Sequence, residues 1–232
     1  MREIPATQSQ SKQRLLDAAE QLFAERGFEA VSVRDITHRA DANVAAINYH
    51  FGTRDGLVAL VISRYLTPVN EERLVRLETA ERKTSGKSLP LEEILDAFAR
   101  PLVGITRKSA MPERLLCKLL GRIFSLQGDD CPVAMEASMH RVNERFTRAL
   151  GRALPSLAAD ELIWRIHLMV GGLIHLLMNQ DRLEPVSSGT EEPPAMDAAL
   201  SRFIRFSAAG LREGVTLEAP VKNTPQATFD FG

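Results

Sequence analysis

The stretch Ser32–Leu57, SVRDITHRADANVAAINYHFGTRDGL, decides the fold. Ser32 is a good helix N-cap, and Asp35 three residues later can reach back to the free amide, an acidic variant of the capping box. Val33, Ile36 and Ala40 then recur at helical spacing, so the first helix hides that stripe. Asp41, Ala42 and Asn43 supply a corner, because Asp and Asn bond their own backbone and tolerate unusual dihedrals. Asn43 can also cap the helix that follows. At about 100° per residue, Val44, Ile47 and Phe51 share one face of that second helix. Ala45, Ala46, Tyr49 and His50 project elsewhere, with Asn48 at the border. Gly52 ends the helix and Thr53 caps the next, which begins RDGLVALVISRYL. Two short helices across a tight turn, the second nearly uncharged and presenting Asn48, Tyr49 and His50, are the sequence form of a helix-turn-helix. In such a motif the second helix enters the DNA major groove.

Working outward, SKQRLLDAAEQLFAERGF (residues 11–28) places Leu15, Leu16, Ala19, Leu22 and Phe23 along one apolar face. Ser11 is the expected cap, and Gly27 supplies the left-handed residue that stops the helix. Phe28, Val31 and Val33 can dock against the helix pair. Three helices and this plug make a head of about 50 residues, a size that is marginal alone.

The run AAEQLFAERGFEAVSVRDITHRADANVAAINYHFGTRDGL closely resembles the head of TetR-family transcriptional regulators. The matching features are LFAERGF, an Ile-x-x-x-Ala helix, an Asn-capped recognition helix, Tyr-His-Phe, and a basic residue after the capping Thr. The resemblance covers roughly residues 11–60. Two positions depart from the pattern: Asp41 stands where the family usually has Gly, and Asn48 where it often has an aromatic. The second departure puts another amide in the groove, so no operator sequence carries over. Downstream, RYLTP, IWRIH and AAGLREG are similar to the fatty-acid- or acyl-CoA-responsive subgroup, which is a lead on ligand class.

Composition does not advertise DNA binding. The chain has 232 residues, 25% of them charged, and a net charge of −1, so no global basic signature exists. Over residues 1–64, eight Lys/Arg face eight Asp/Glu. A DNA-binding role must rest on where the charges sit, not on their sum. Two cysteines, Cys117 and Cys131, lack partners at metal spacing and read as reduced thiols in a cytoplasmic protein. No cofactor is implied. Met1–Gln10 has no apolar core and so is no signal peptide. The apolar stretch Leu168–Met178 is short and holds His175, so no membrane span is indicated.

The remainder reads as helices. A helical pattern from Arg54 meets Pro68, where a kink or split is expected, and resumes toward Arg82. Lys83–Leu89 is a loop. Five helices follow: LEEILDAFARPLVGIT interrupted by Pro101, one opened by Pro112 as a first-turn proline, one over about 132–154, one started by Ser156 or Asp160, and one after Pro194. No strand alternation with hairpin signals appears. The expected fold is therefore all-α, a three-helix head with a helix-turn-helix plus a larger helical ligand-binding and dimerisation domain. The expected divisions are a flexible N-terminus (1–10), the head (11–57), a connector helix (58–84), the effector and dimerisation domain (85–214) and a flexible tail (215–232).

Roles follow from chemistry and from the resemblance. Arg34 and Arg54 would flank the recognition helix and grip phosphates, with Tyr49, His50 and the capping Thr53 beside them. Asn43, Ala45, Ala46 and Asn48 would face base edges; Asn48 suits adenine and the alanines suit thymine methyls. Homodimerisation would double these contacts on a palindromic double-stranded operator. Gly171-Gly172 and Ala208-Ala209-Gly210 permit close helix contact, and Ile163, Ile166, Met169, Val170, Ile174 and Leu177, with Phe203, Ile204 and Phe206, would fill a four-helix dimer interface.

The resemblance also implies a chamber for a small lipophilic effector, a fatty acid or acyl-CoA being the first guess. Its candidate lining is Leu102, Leu120, Phe124, Phe146, Trp164 and Leu168, with Arg122 and His167 as polar anchors. Such residues at helical spacing are also plain core. The leading function is a repressor released from its operator by that ligand. An activator or ligand-independent regulator is the alternative. An enzyme is disfavoured, since neither H-E-x-x-H nor G-x-S-x-G occurs.

Overall fold

A computed structural model describes residues 6–84, 87–126, 133–179 and 195–213. Among them the chain is all-α, with ten helices and no strand: α1 (Ala6–Arg26), α2 (Val33–Arg39), α3 (Val44–Phe51), α4 (Arg54–Lys83), α5 (Leu91–Ala99), α6 (Pro101–Lys108), α7 (Glu113–Phe124), α8 (Val133–Ala153), α9 (Ala159–Met178) and α10 (Met196–Arg212).

Local chemistry sets the head. The capping box closes in both directions: Ser32 N–H donates to Asp35 Oδ2 at 2.8 Å and Asp35 N–H to Ser32 Oγ at 3.2 Å. These bonds to Ser32 hold the exposed Asp35 carboxyl below the usual carboxylate range. Asn43 Oδ1 accepts from Ala46 N–H at 2.9 Å, and Thr53 Oγ1 from Gly56 N–H at 3.0 Å. The corner between α2 and α3 turns on Asp41, which takes a positive φ of 49°. That is the left-handed conformation Asp tolerates better than most residues. Leu15, Ala19, Phe23, Ile36, Ile47 and Leu57 are all fully buried and form the plug of the head.

Several boundaries differ from the sequence reading. α1 starts at Ala6, ahead of the Ser11 cap, so residues 6–10 are helix. α4 runs unbroken for 30 residues with Pro68 inside it, so head and connector share one helix. The interruption expected at Pro101 is present: α5 ends at Ala99 and Pro101 opens α6. Pro112 occupies the N-cap position of α7 rather than its first turn. α9 begins at Ala159 after Ala158, without a side-chain cap from Ser156 or Asp160. The loop 182–193 and the tail 215–232 lie outside the described residues.

In the body, α4 packs on α5 and α8, α7 on α9, and α10 on α5 and α9. Charged side chains fasten helix ends. Arg145 and Arg152 of α8 both bond Glu81 of α4, the former at 2.7 Å. Arg165, buried on α9, donates Nε to Glu161 at 2.7 Å. Its Nη1 reaches the carbonyls of Gly210 at 3.1 Å, Leu211 at 3.2 Å and also Glu213. A guanidinium at the C-terminus of α10 satisfies carbonyls that have no partner within the helix. By length and composition α9 could cross a membrane, but only 28% of its most apolar window is buried here. Its uncovered side therefore needs a neighbour.

Head and body also touch directly, through α1 and α7. Arg122 of α7 donates Nε to Ala24 O at 3.3 Å and Nη2 to Glu25 O at 3.2 Å, so it caps the end of α1. Gly27 just beyond takes φ +91°, and a Cβ there would lie 2.6 Å from Arg122 Nη1. The glycine thus serves both the turn and the approach of the arginine. Removing these charge-assisted bonds in Arg122→Ala is expected to cost about 1–2 kcal/mol in urea unfolding. Amide exchange should quicken at the end of α1, whereas exchange in α10 should not change.

Candidate nucleic-acid interface

Ile36 on α2 and Ile47 on α3 are buried to 1% exposure or less, which presses the two helices together and turns the rest of α3 outward. Asn43, Ala45, Asn48 and Thr53 are exposed, Ala46 and His50 half-buried, and Tyr49 is 71% exposed. The Tyr49 ring meets His50 edge-on at 5.0 Å, and His50 meets Phe51 at 5.9 Å, so the aromatic run braces itself. Arg34 is exposed in the first turn of α2. Asn43, Ala45, Ala46, Asn48, Tyr49, His50 and Thr53 therefore lie along or at the ends of one helix, with Arg34 exposed on its neighbour α2.

Two features depart from the reading of the sequence. Val44, assigned to the inner face, is 47% exposed at the tip of α3. Val44, in the first turn of α3, thus joins the outer surface beside the exposed Ala45. Arg54, assigned to phosphates, is turned inward: Nε donates to Val31 O at 3.2 Å and Nη2 bonds Phe28 O. It ties the α1–α2 loop to the start of α4, because those two carbonyls lie in a loop with no helical partners of its own. Basic residues that the sequence did not single out stand nearby. Lys12 Nζ lies 6.0 Å from the Phe51 ring centroid, and Arg14 borders the hollow formed by Asp41, Asn43 and Ala46. Only tertiary packing brings α1 there.

The effector candidates scatter. Phe124, Phe146 and His167 line a partly open cavity of about 680 Å³ bordered by α4, α5, α7, α8 and α9. Leu102 and Leu120 are fully buried in the helical core and do not border it. Arg122 caps α1, as described, and is not an anchor in the chamber. Trp164 and Leu168 are 65% and 68% exposed on the outer side of α9. There they join Ile163, whereas Met169 and Leu177, assigned to association, are buried within the body. On α10 the same division holds: Phe203 and Ile204 are buried and Phe206 is 81% exposed. A helix apolar on every side does not reveal from sequence which side meets its own core.

The cavity wall includes Arg73, which sequence reading passed over in the charged run EERLVRLETAERK. Nearer the head, a second hollow of about 500 Å³ is more polar. Glu20 sits there nearly buried, accepting from Tyr65 O–H at 2.6 Å and Arg64 Nη1 at 2.9 Å. Burial raises the Glu20 pKa against the pull of those partners. Cys117 is buried, and desolvation pushes its thiol up to about 12, which removes thiolate reactivity.

A capped helix-turn-helix with an exposed recognition helix, joined to a larger helical body, defines a DNA-binding regulator by class. Residues 15–61 match the family model of bacterial regulatory proteins of the tetR family, and residues 96–210 match that of the tetracyclin repressor-like C-terminal domain. The chain belongs to the TetR family of transcriptional regulators. An HTH-type transcriptional repressor of Mycobacterium tuberculosis is 36% identical over 101 residues, which span 44% of this chain and 49% of that protein. A probable HTH-type transcriptional regulator of Bacillus subtilis is 35% identical over 78 residues, 34% of this chain and 36% of that protein. The chain thus spans about half or less of the length of these curated relatives. The TetR-family regulator PfmR of Thermus thermophilus shares the fold at 20% identity and a TM-score of 0.54, covering 89% of this chain and all of that one.

Arg54→Ala is expected to loosen the head itself. Losing both loop carbonyls should cost about 1–3 kcal/mol in chemical unfolding without DNA present. A substitution that weakened only DNA binding and left stability unchanged would return Arg54 to the phosphates.

Proposed function

We propose that this chain is a homodimeric repressor that binds a palindromic operator and is released from it by a small lipophilic ligand. The observation that carries the DNA half is the exposed Tyr49 on a helix capped at its start by Asn43 and followed directly by the Thr53 cap of α4. In this reading residues 11–57 read DNA, 58–84 connect, and 85–214 hold the effector and the second copy. Tyr49, His50, Thr53 and Arg34 contact the backbone, with Lys12 and Arg14 adding charge from α1. Asn43, Ala45, Ala46 and Asn48 face the base edges. The repressor name of the mycobacterial relative favours repression over activation. Its place of action is the cytoplasm, with the DNA.

Dimerisation is supported by an uncovered apolar stripe on α9 and α10, formed by Ile163, Trp164, Leu168 and Phe206. Around Gly171, Gly172 and Gly210 there is open space where a Cβ would project, so another helix can approach closely. A monomer rarely leaves such a patch bare. Two heads joined in this way address half-sites about 34–36 Å apart. Ligand release is supported by the cavity beside α4, the helix whose first turn follows the recognition helix. A ligand that fits one arrangement of α4 better than another shifts the heads only by its difference in affinity, with couplings of about 1–3 kcal/mol being usual.

Tyr49→Ala should lower operator affinity about tenfold or more in fluorescence anisotropy, with helical content and dimer mass unchanged. Equal binding by parent and variant would sink the docking. Leu168→Glu should convert the dimer to a monomer by light scattering and weaken operator binding. A variant that stayed dimeric would move the interface elsewhere.

A further inference from the structure

Arg73 is the largest fully buried side chain, only 1% exposed, and it sits in the wall of the 680 Å³ cavity. Two of its nitrogens are committed: Nε donates to Phe98 O at 2.8 Å and Nη1 to Asn70 Oδ1 at 3.1 Å. The guanidinium carbon lies over two aromatic rings, 4.1 Å from the Phe98 centroid and 5.0 Å from that of Phe124. Nη2 is buried and has no hydrogen-bond partner among the described residues. Burial pulls the Arg73 pKa down to about 9, and no neighbouring carboxylate works against that shift. The group still carries its charge at neutral pH.

A buried cation without a counter-ion is costly, and cations held so deeply are normally paired. The remaining cavity lining is mostly apolar, including Leu95, Met139, Phe146 and Leu173, with His140, His167 and Glu136 among its exposed polar members. The two free N–H groups of Nη2 are donors with nothing to accept from them. What would satisfy this wall is an acceptor bearing one negative charge on an otherwise apolar body. A phosphate dianion would bring more charge than one guanidinium balances in such surroundings.

We infer that Arg73 anchors the carboxylate of an apolar monocarboxylic acid whose hydrocarbon body fills the cavity. This rests on the ligand half of the proposed function and narrows it, since a neutral lipid or an alcohol of equal size lacks the matching group. Asn70 extends the anchor: it holds Arg73 and donates Nδ2 to Ser138 Oγ of α8 at 3.0 Å. A head group on Arg73 therefore acts where α4 meets α8.

The test is calorimetric titration of the delipidated full-length protein, without DNA, with two matched pairs: dodecanoate against dodecanol, and 4-phenylbutyrate against 4-phenylbutanol. The parent should prefer the acid of at least one pair about tenfold to hundredfold, the range for a charge-assisted bond. In Arg73→Met that preference should fall to near unity while the alcohol still binds; in Arg73→Lys it should persist in weakened form. Lost packing alone would weaken acid and alcohol alike, so the ratio isolates the anchor. If Arg73→Met does not fold, the parent's acid-to-alcohol ratio and the lysine variant decide the matter. Alcohols binding as well as acids, an unchanged ratio in Arg73→Met, or no binding from either pair would overturn the inference. None of these outcomes touches operator binding, which is measured separately.

Discussion

The unbroken run of α4 is the constraint on which the rest of this protein depends. Its Thr53 cap sits directly after the recognition helix, Arg73 lies in the cavity wall, and Glu81 near its far end is held by two arginines of α8. At 1.5 Å per residue, Arg54 and Arg73 are about 28 Å apart along one rod. A flexible joint at Pro68 would have isolated the two sites. In the proposed function, this continuous helix is what carries a change at the cavity to the head. The Arg122 contact with the end of α1 adds a second connection, so the head is gripped at two points rather than hung from one.

A few arginines are turned inward and used on the backbone. Arg54, Arg122 and Arg165 each bond backbone carbonyls of a loop or helix end, Arg165 pairing with Glu161 as well. They act as fasteners where backbone groups lack partners, the task for which a rigid fork of donors suits. In the proposed function, a chain with a net charge of −1 meets DNA through the placement of a few basic residues, Arg34, Lys12 and Arg14, rather than through their sum. Arg73 stands apart from these fasteners because it lies in the wall of the cavity and has no carboxylate partner among the described residues, whereas Arg165 pairs with Glu161.

What was legible in the sequence was local. The Ser32–Asp35 box, the Asn43 cap and the Thr53 cap each depend on residues within three positions, so pattern alone places them. The all-α class follows from the same periodicities. The start of α1 was missed because Ser11 offers a cap and the helix simply continues past it. The tasks of Arg54 and Arg122 were missed because their partners lie 23 to 98 residues away. Trp164 and Leu168 were placed inside because α9 is apolar around most of its girth, and periodicity cannot say which side meets the core. Arg73 escaped notice since a basic residue in a charged run reads as a solvated face, whereas packing of α5 and α7 buries it.

The most direct test of the central claim is selection of bound duplexes by the purified full-length protein from a random double-stranded library, followed by sequencing. A dimer reading DNA through α3 should enrich a palindromic motif whose half-sites lie about one helical turn or a multiple of it apart. Enrichment should weaken steeply with salt as phosphate contacts are screened. No enriched sequence, or a motif without two-fold symmetry, would contradict a dimeric repressor reading DNA through α3.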